Sequence, residues 1–212
     1  MSSSNRWLKE HFSDQYVKKA QQAGYRSRAA YKLLEIQAKD HLIKPGNVVI
    51  DLGSAPGGWS IVARDLVGPK GRVIAVDLLP MAAIPGVTFI QGDFNDPVVF
   101  KKLQDEICAQ GAAVDLVISD MAPNISGEKS IDQPRSLHLV ELAWDCACHL
   151  LKPGGIFLAK VFQGSGIDAL IAELRPCFKH VKLRKPQSSR SRSSEVYILG
   201  MEFLGYNGEV RV

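Results

Sequence analysis

The sequence predicts a doubly wound α/β domain whose mostly parallel, seven-stranded sheet has helices on both faces and is preceded by a helical N-terminal extension. Three observations support this fold class. Short apolar runs rich in Val and Ile recur along the chain, segments with helical spacing of apolar residues separate them, and Gly or Pro marks many boundaries. The strand-like runs are continuously apolar rather than alternating, which is typical of parallel strands buried on both faces.

The elements follow one another in a regular order. Residues 3–22 and 25–40 are predicted as helices, because charged residues are mixed with apolar residues at helical spacing. Residues 121–134 are predicted as a loop, because Pro, Asn, Ser and Gly are frequent there. Strands are predicted at 48–53, 72–78, 87–94, 114–120, 155–162, 180–185 and 195–203, with helices at 58–66, 97–109, 135–151 and 166–175.

Length and composition limit the class of protein. A chain of 212 residues with 46% hydrophobic and 23% charged residues is predicted to fold as one domain, with residues 1–44 as a basic helical extension of the main body at 45–212. No apolar run has the length of a membrane span, and the N-terminus lacks the apolar core of a signal peptide. We therefore expect a cytoplasmic protein with no membrane partner.

The four cysteines favour the same compartment. Cys108, Cys146, Cys148 and Cys177 form no CxxC pair, and three of them lie in segments with helical patterning. A metal site of the finger or ribbon type needs four ligands at a set spacing, which this chain lacks. We expect reduced thiols in or near the core and no metal.

Positive charge is concentrated in two segments. Residues 1–44 have a net charge of +5, residues 45–174 of −6 and residues 175–195 of +6. Two basic segments around an acidic middle indicate a polyanionic partner, with two solvated basic faces as the competing interpretation.

The first strand leads into a glycine-rich turn, DLGSAPGGWS at 51–60. Ligand sites in doubly wound sheets lie beyond the carboxyl ends of the strands, and glycines there let the backbone approach a ligand. The turn differs from the dinucleotide fingerprint GxGxxG at Ala55, and no Gly-Lys-Ser/Thr follows as in a phosphate loop. A tight strand-to-helix turn without a ligand is the competing interpretation.

Acidic residues end the next strands and favour a ligand site. Asp77 is placed to accept the hydroxyls of a ribose, and Asp93 to accept an amine beside the aromatic ring of Phe94. With Asp51 and Asp120 at two further strand ends, the site is acidic and unsuited to a pyrophosphate, which disfavours an NAD-dependent oxidoreductase. S-adenosylmethionine suits it better, because its sulfonium and ammonium groups are cationic.

Three motifs make this interpretation specific. DLGSAPGGWS, SDMAPNISG at 119–127 and AKVFQG at 159–164 together resemble the FtsJ/RrmJ family of S-adenosylmethionine-dependent RNA ribose 2′-O-methyltransferases, and the resemblance extends from SRAAYKLLEI to SSEVYILG. It implies a Rossmann-like class I methyltransferase fold, with 45–212 as the catalytic domain. It also implies methyl transfer to a uridine 2′-hydroxyl in large-subunit (23S) ribosomal RNA, with the assembled large ribosomal subunit favoured over naked RNA as the substrate and the choice left open by the sequence. No obligate protein partner is evident from the sequence.

The resemblance further implies a catalytic tetrad. The family's Lys-Asp-Lys-Glu set falls on Lys32, Asp120, Lys160 and Glu195. Lys160 would accept the proton of the ribose hydroxyl or stabilise the alkoxide. A cation such as Lys32 favours the neutral amine and the two carboxylates favour the ammonium, so the sequence leaves both roles open.

The glycine turn and the flanking segments supply further candidates. For the cofactor these are Gly53, Pro56, Gly57, Gly58 and the backbone of Trp59, with Asp51 supporting the turn, and Asp77, Asp93, Phe94 and Asp120 at the later strand ends. Asn124 and Ser126 are candidates for holding the target nucleotide, with a polar turn as the alternative. Candidates for RNA phosphate contacts are Lys9, Lys18, Lys19, Arg26, Arg28, Lys182, Arg184, Lys185, Arg190 and Arg192.

Two alternatives stay open at the level of sequence. The chain would keep the same fold as an RNA-binding ribosome assembly factor without turnover. Other branches of the family methylate transfer RNA or messenger RNA caps, although a chain of this length has no room for a separate cap-binding domain.

Overall fold

The fold, seen in a computed structural model, is built on one seven-stranded sheet. The structure describes residues 15–109, 111, 113–190 and 193–206. The strand order is β3-β2-β1-β4-β5-β7-β6, with β7 antiparallel to both neighbours and the other pairs parallel. The strands are β1 (Val48–Leu52), β2 (Arg72–Asp77), β3 (Val87–Gln91), β4 (Val114–Ser119), β5 (Leu151–Phe162), β6 (Phe178–Arg184) and β7 (Glu195–Phe203).

Six helices of the described chain surround this sheet. They are α1 (Gln15–Gln22), α2 (Ala29–Asp40), α3 (Gly58–Val67), α4 (Pro97–Cys108), α5 (Lys129–Leu150) and α6 (Ile167–Leu174). Leu33 of α2 and Val62 of α3 belong to the core on one face of the sheet, and Leu103, Trp144 and Leu170 of α4, α5 and α6 to the core on the other. The doubly wound α/β architecture predicted from the sequence is therefore confirmed.

The burial of the strands follows their composition and their place in the sheet. β1 is buried at every position and β4 at all but one, as expected for β-branched runs covered on both sides. β6 at the sheet edge has mostly exposed residues, including Lys179 and Lys182. Charged side chains on an edge strand discourage pairing with another chain.

The prediction for residues 121–134 was wrong in its second half. Helix α5 begins at Lys129, although it contains Pro134. Proline removes one helical hydrogen bond, which favoured the loop assignment. Tertiary contacts hold this first part of the helix: the Gln133 amide donates to Gln163 O (3.1 Å), and Ser136 Oγ accepts from Phe162 N–H (3.0 Å).

Other boundaries differ by a few residues. β5 begins at Leu151 rather than at 155, and its pairing with β4 has a register shift between Val114 and Leu116. β6 begins at Phe178, two residues before the predicted start. Residues 3–14 of the first predicted helix lie outside the described residues. No helix of the described chain is long and apolar enough to cross a membrane.

The cysteines lie in or near the core, apart from one. Cys146 and Cys177 are buried, Cys148 is half-buried and Cys108 is exposed, and all four are free thiols. Burial raises the pKa of Cys146 to about 12. Among the residues that the structure describes, no three His, Cys, Asp or Glu side chains are grouped so as to hold a metal ion.

Candidate active site

The pairing of β4, β5 and β7 brings Asp120 and Lys160 together. Asp120 follows the last residue of β4, and Lys160 lies on β5 directly opposite Tyr197 of β7. Lys160 Nζ donates to the main-chain oxygen of Asp120 at 2.6 Å and lies 3.1 Å from its carboxylate Oδ1. The Lys160 side chain is only 5% exposed, so this ion pair is largely shielded from water.

Tyr197 completes this contact and was missed by the sequence analysis. Its hydroxyl donates to Asp120 Oδ1 at 2.7 Å, and the side chain is fully buried. Burial raises the pKa of the Tyr197 hydroxyl well above its ordinary value, and the Asp120 carboxylate raises it further, so the hydroxyl keeps its proton. Strand periodicity places residue 197 on the same face as Glu195, which is the signal that could have found it.

Lys32 and Glu195 form the second ion pair of the site. Lys32 Nζ of α2 lies 2.9 Å from Glu195 Oε2 and 6.0 Å from the centre of the Tyr197 ring. Burial acts to raise the pKa of the Glu195 carboxyl, but the charges of Lys32 and Lys160 outweigh it and hold this pKa below its ordinary value. Glu195 is therefore ionised at neutral pH.

The four predicted catalytic residues thus form one cluster with Tyr197 between the two ion pairs. Each of its two lysines lies next to a carboxylate, which suits a partly buried position, because a buried charge is costly without a partner. Trp59 packs against the cluster through Tyr197, since the centres of the two rings are 5.6 Å apart. Its indole N–H donates to Ala29 O at 2.8 Å. Trp59 as a whole is 3% exposed.

A cavity of about 480 Å³ lies at the carboxyl ends of β1, β2 and β4, and we call it the strand-end cavity. Apolar side chains such as Leu78 and Leu142 form part of its wall. Five of the predicted cofactor residues and one predicted nucleotide residue also line it: Gly53, Asp77, Asp93, Phe94, Asp120 and Asn124.

The carboxylate of Asp77 fixes the turn at the edge of this cavity. Its Oδ2 accepts the Ala55 N–H and its Oδ1 the Leu79 N–H, both at 2.7 Å. A carboxylate has about four acceptor positions, so each oxygen can accept one further bond. Gly53 has φ +71°, a conformation that favours glycine, and a Cβ there would lie 2.0 Å from Met121 Cγ and displace that side chain.

The other predicted cofactor residues lie outside the wall of the strand-end cavity. Pro56 O accepts a hydrogen bond from Arg26, and Gly57 and Gly58 are buried at the start of α3. Asp51 is 1% exposed and accepts a 2.6 Å hydrogen bond from Ser60 Oγ. Burial raises the pKa of Asp51 to about 7, while the hydrogen bond from Ser60 acts to lower it.

A larger cavity of about 750 Å³ lies on the other side of the cluster, and we call it the helix-side cavity. Lys32 and Glu195 line it, whereas Asp120 lines the strand-end cavity. The cluster therefore reaches both cavities. The helix-side cavity is also lined by Arg28, Lys129, Asp132, Phe162 and Arg190.

The predicted RNA-contacting residues fall into two groups. Arg26 donates to the main-chain oxygens of Ala82 and Ala83, and Arg184 forms a bidentate ion pair with Asp40 at 2.6 Å, so both hold elements together. Lys185 donates to the main-chain oxygens of Ser193 and Glu195. Lys18, Lys19 and Lys182 are exposed, Arg28 and Arg190 line the helix-side cavity, and Lys9 and Arg192 lie outside the described residues.

The segment between β6 and β7 is attached to α2. Glu35 accepts hydrogen bonds from the N–H groups of Gln187 (2.5 Å) and Ser188 (3.0 Å), and Arg28 donates to Ser188 O. Ser188 is 1% exposed. These contacts place Arg190 on the same cavity wall as Lys32 and Glu195. The sequence did not reveal the role of Glu35, because an acidic residue on a basic helix has no distinguishing pattern.

Comparison with known proteins identifies the family. The FtsJ-like methyltransferase model matches residues 25–203. A protein of Coxiella burnetii named "Ribosomal RNA large subunit methyltransferase E" is 64% identical over 212 residues, covering 99% of this chain and 100% of the relative. The chain belongs to the FtsJ-like methyltransferase family. A protein of Cellvibrio japonicus with the same name is 59% identical to this methyltransferase, over 96% of this chain and 95% of the relative.

Solved structures agree with the fold of this methyltransferase. A protein of Plasmodium falciparum described as a ribosomal RNA methyltransferase matches with a TM-score of 0.74 and 32% identity, over 86% of this chain and 100% of that one. Fibrillarin of Aeropyrum pernix, solved with natively bound S-adenosyl-L-methionine, matches with a TM-score of 0.55 at 17% identity, over 84% and 75% of the chains. The latter shows the Rossmann-like fold alone.

S-adenosylmethionine is the cofactor of this methyltransferase, and the residues of the strand-end cavity fit it. Asp77, Asp93 and Asp120 would supply acceptors for ribose hydroxyls, an amine and a cationic group, and Phe94, Leu78 and Leu142 would supply apolar surface for a base. The described wall has no Lys or Arg for a phosphate. When bound, this cofactor supplies an activated methyl group with a neutral leaving group.

Proposed function

We propose that this methyltransferase transfers a methyl group from S-adenosylmethionine to the ribose 2′-hydroxyl of a uridine in large-subunit (23S) ribosomal RNA. One observation supports this most strongly. The Lys32, Asp120, Lys160 and Glu195 cluster lies between an acidic, partly apolar cavity that fits the cofactor and a second cavity with basic residues on its wall. The cluster therefore contributes Asp120 to the cofactor side and Lys32 and Glu195 to the acceptor side, with Lys160 bonded to Asp120.

The second cavity has the chemistry of a nucleotide site. Arg28, Lys129 and Arg190 on its wall provide positive charge for phosphates, and Phe162 provides apolar surface. The large-subunit ribosomal substrate is supported by the names of the relatives that are 59% and 64% identical over nearly the whole chain. The uridine is supported by the motif resemblance.

Lys160 is the residue that acts on the hydroxyl in this proposal. An ammonium has three donors, of which two point to Asp120, to its main-chain oxygen at 2.6 Å and its Oδ1 at 3.1 Å. The third is available to a ribose oxygen. Lys160 accepts the proton if the amine starts neutral, or stabilises the developing alkoxide if it starts as the ammonium.

The other cluster residues hold Lys160 and the nucleotide in place. Asp120 fixes the Lys160 head group and is itself fixed by the Tyr197 hydroxyl at 2.7 Å. The Lys32–Glu195 pair lies on the wall of the helix-side cavity, which is the nucleotide site in this proposal. Fixed positions of this kind lower the barrier because the reacting atoms need no reorganisation at the moment of transfer.

The test is a methyl-transfer assay with isotopically labelled S-adenosylmethionine on four substrates: isolated large subunits, free large-subunit ribosomal RNA, transfer RNA and capped messenger RNA. The expected result is label in ribosomal RNA at one uridine. A 2′-O-methyl group blocks alkaline cleavage of the next phosphodiester, so the labelled nucleotide survives as a dinucleotide. Label on a base, label only in another RNA, or binding without transfer would each overturn the proposal.

A further inference from the structure

The chain segment that separates the two cavities is 120–127. Its first part, Asp120, Met121, Ala122 and Asn124, lines the strand-end cavity, and Ile125 and Gly127 line the helix-side cavity. Under the proposed function, this segment is the partition between the methyl donor and the target nucleotide. Its position decides whether the two reactants meet at Lys160.

The two ends of the segment are anchored by different groups. At the first end, Asp120 is held by Lys160 and Tyr197. At the far end, Asp132 of α5 accepts three hydrogen bonds: from Ser126 N–H at 2.9 Å, Ser126 Oγ–H at 2.8 Å and Gly127 N–H at 3.0 Å. Asp132 is thus the far anchor of the segment.

The middle of the segment has little support of its own. The Met121 N–H reaches Ser119 Oγ at 3.5 Å, and residues 122–125 make no hydrogen bond within the described part of the chain. Ile125 is 68% exposed, so packing does not fix it either. Met121 packs against the core, so the position of residues 122–125 depends on the contacts at the two ends of the segment.

The placement of Asp132 differs from that of a surface acid. It is 6% exposed, although most of its neighbours in the first turn of α5 are exposed, and it lies on the wall of the helix-side cavity. Its main-chain N–H continues the helix by donating to Glu128 O at 2.9 Å. The main-chain hydrogen bond from Ser126 is the largest influence on the pKa of the Asp132 carboxyl, which lies below its ordinary value. The carboxylate therefore presents two charged oxygens to the segment.

We propose that Asp132 is a positioning residue for methyl transfer, which fixes the far end of segment 120–127 and thereby aligns the donor and acceptor cavities on Lys160. This inference rests on the proposed function. Asp132 touches neither the reacting hydroxyl nor the activated methyl group and acts through Ser126 and Gly127. A displacement of about 1 Å in such an arrangement costs on the order of 100-fold in rate.

The first variant to measure is Asp132→Asn, which keeps the shape and one oxygen but loses the second carboxylate acceptor. We expect its single-turnover methyl-transfer rate, at saturating RNA and cofactor, to fall by about 10- to 100-fold. The dissociation constant for S-adenosylmethionine, from calorimetry, should change by less than about threefold, since Asp77 and Asp93 are untouched. A role in stability alone would shift the melting temperature without this separation of rate from cofactor affinity.

The matched control is Asp168→Asn. Asp168 is an exposed acid in the first turn of α6, so the substitution removes the same charge at the same kind of helix position, away from both cavities. Its transfer rate should equal that of the wild type. The same loss of rate in Asp168→Asn and Asp132→Asn would overturn the proposal.

A double-mutant cycle tests the route through Ser126. Ser126→Ala removes only the hydroxyl contact and should lower the rate by about threefold to tenfold. Because Asp132→Ala removes every acceptor that Ser126 uses, a variant that combines Asp132→Ala with Ser126→Ala should be no slower than Asp132→Ala alone. A wild-type rate in Asp132→Asn, or additive losses in the double variant, would overturn the proposal.

Two further outcomes have defined meanings. If Asp132→Asn does not fold, Ser126→Ala decides, and a wild-type rate there assigns Asp132 to stability alone and overturns the proposal. The rates are measured as total methyl incorporated, whatever the position modified. Transfer by the wild type to an atom other than a 2′-oxygen therefore overturns the proposed function, whereas the ratio of variant to wild-type rate still tests Asp132.

Discussion

Lys160 donates to Asp120 twice, to its main-chain oxygen at 2.6 Å and to its carboxylate Oδ1 at 3.1 Å. The first contact fixes the backbone where β4 ends, and the second pairs the two charges. Because Asp120 also lines the strand-end cavity, any movement of the Lys160 head group is coupled to the wall of the cofactor site. Substitutions at Lys160 therefore separate chemistry from binding only if both are measured.

Replacing Lys160 by alanine should slow methyl transfer with little effect on binding. Loss of a general base or a charge-stabilising group typically costs about 10²- to 10⁴-fold in rate. We expect this loss in the single-turnover rate constant, with dissociation constants for cofactor and RNA close to those of the wild type. A wild-type rate in Lys160→Ala would show that Lys160 has no catalytic role.

Lys160→Arg separates the two roles left open for this lysine. A guanidinium keeps the positive charge and the donors but does not give up its proton in a protein, so it can stabilise an alkoxide and cannot act as a base. An inactive variant with normal binding indicates a base. A largely active variant indicates electrostatic stabilisation. A crystal structure of the variant must show the guanidinium next to Asp120, since a displaced group would be inactive for either reason.

Asp77 is expected to contribute to cofactor affinity through its remaining acceptor positions. A hydrogen bond to a charged group is worth roughly 1.5–3 kcal/mol, so Asp77→Ala should raise the dissociation constant for S-adenosylmethionine by at least about 10-fold. The substitution also frees the Ala55 and Leu79 N–H groups. Asp77→Asn, which retains one oxygen acceptor, should lose less cofactor affinity than Asp77→Ala. Asp105→Asn, at an exposed position on α4, should leave the cofactor affinity unchanged. Calorimetric titration gives all three values, and an unchanged constant in Asp77→Ala would remove Asp77 from the cofactor site.

The sequence was sufficient for the elements with strong patterns and failed where contacts between distant elements decide. The central strands such as β1 and β4 follow from continuous apolar runs, which are typical of parallel strands covered on both faces. The start of α5 does not, because the contacts of Gln133 and Ser136 with the end of β5 stabilise a helical turn that contains Pro134. Assigning that turn to a loop also hid Asp132.

The residues of the site also divide into those that local sequence patterns reveal and those that only contacts between distant elements reveal. The four cluster residues were found because motifs surround them, whereas Tyr197 and Glu35 are recognisable only once β7 and the β6–β7 segment are placed beside α2. Charge alone also does not reveal which cations have contacts within the protein. Arg26 and Arg184 have the composition of RNA-binding residues, yet their guanidinium groups are used in contacts within the protein.

Arg190 is expected to contribute to RNA binding through a phosphate. It lies on the wall of the helix-side cavity, at the end of the second basic segment. Arg190→Ala should weaken RNA binding and reduce the slope of log affinity against log salt by nearly one for each lost phosphate contact. Substitution of Arg192 together with Arg190 should reduce it further.

Arg184→Ala is the control for this prediction. Its guanidinium pairs with Asp40 rather than facing the cavity, so the loss should appear in thermal stability and not in the salt slope. Cofactor affinity should stay unchanged in both variants. Equal slopes for Arg190→Ala and the wild type would assign the second basic segment to a solvated face.

Asp51 is expected to make the protein less stable as pH rises from about 4 to about 7. Burial raises its pKa from the ordinary 3.8 to about 7, so the folded state binds a proton that the unfolded state releases in this window. Stability is therefore lost as pH rises and is constant above the window. Since a pKa difference of one corresponds to about 1.4 kcal/mol, the loss is on the order of 4 kcal/mol.

Asp51→Asn should remove this dependence, because the neutral amide mimics the protonated carboxyl and its oxygen can still accept from Ser60 Oγ. The melting temperatures of variant and wild type should be similar near pH 4 and diverge towards pH 8, where the variant melts higher by about 2–4 °C for each kcal/mol gained. The difference between the two melting temperatures cancels the pH dependence of groups that act in the opposite direction. Glu195 is one such group, because its lowered pKa makes stability fall at acid pH. Asp65→Asn, an exposed position, should show a constant difference throughout. The same constant difference for Asp51→Asn would mean that Asp51 is ionised in the folded protein at pH 5.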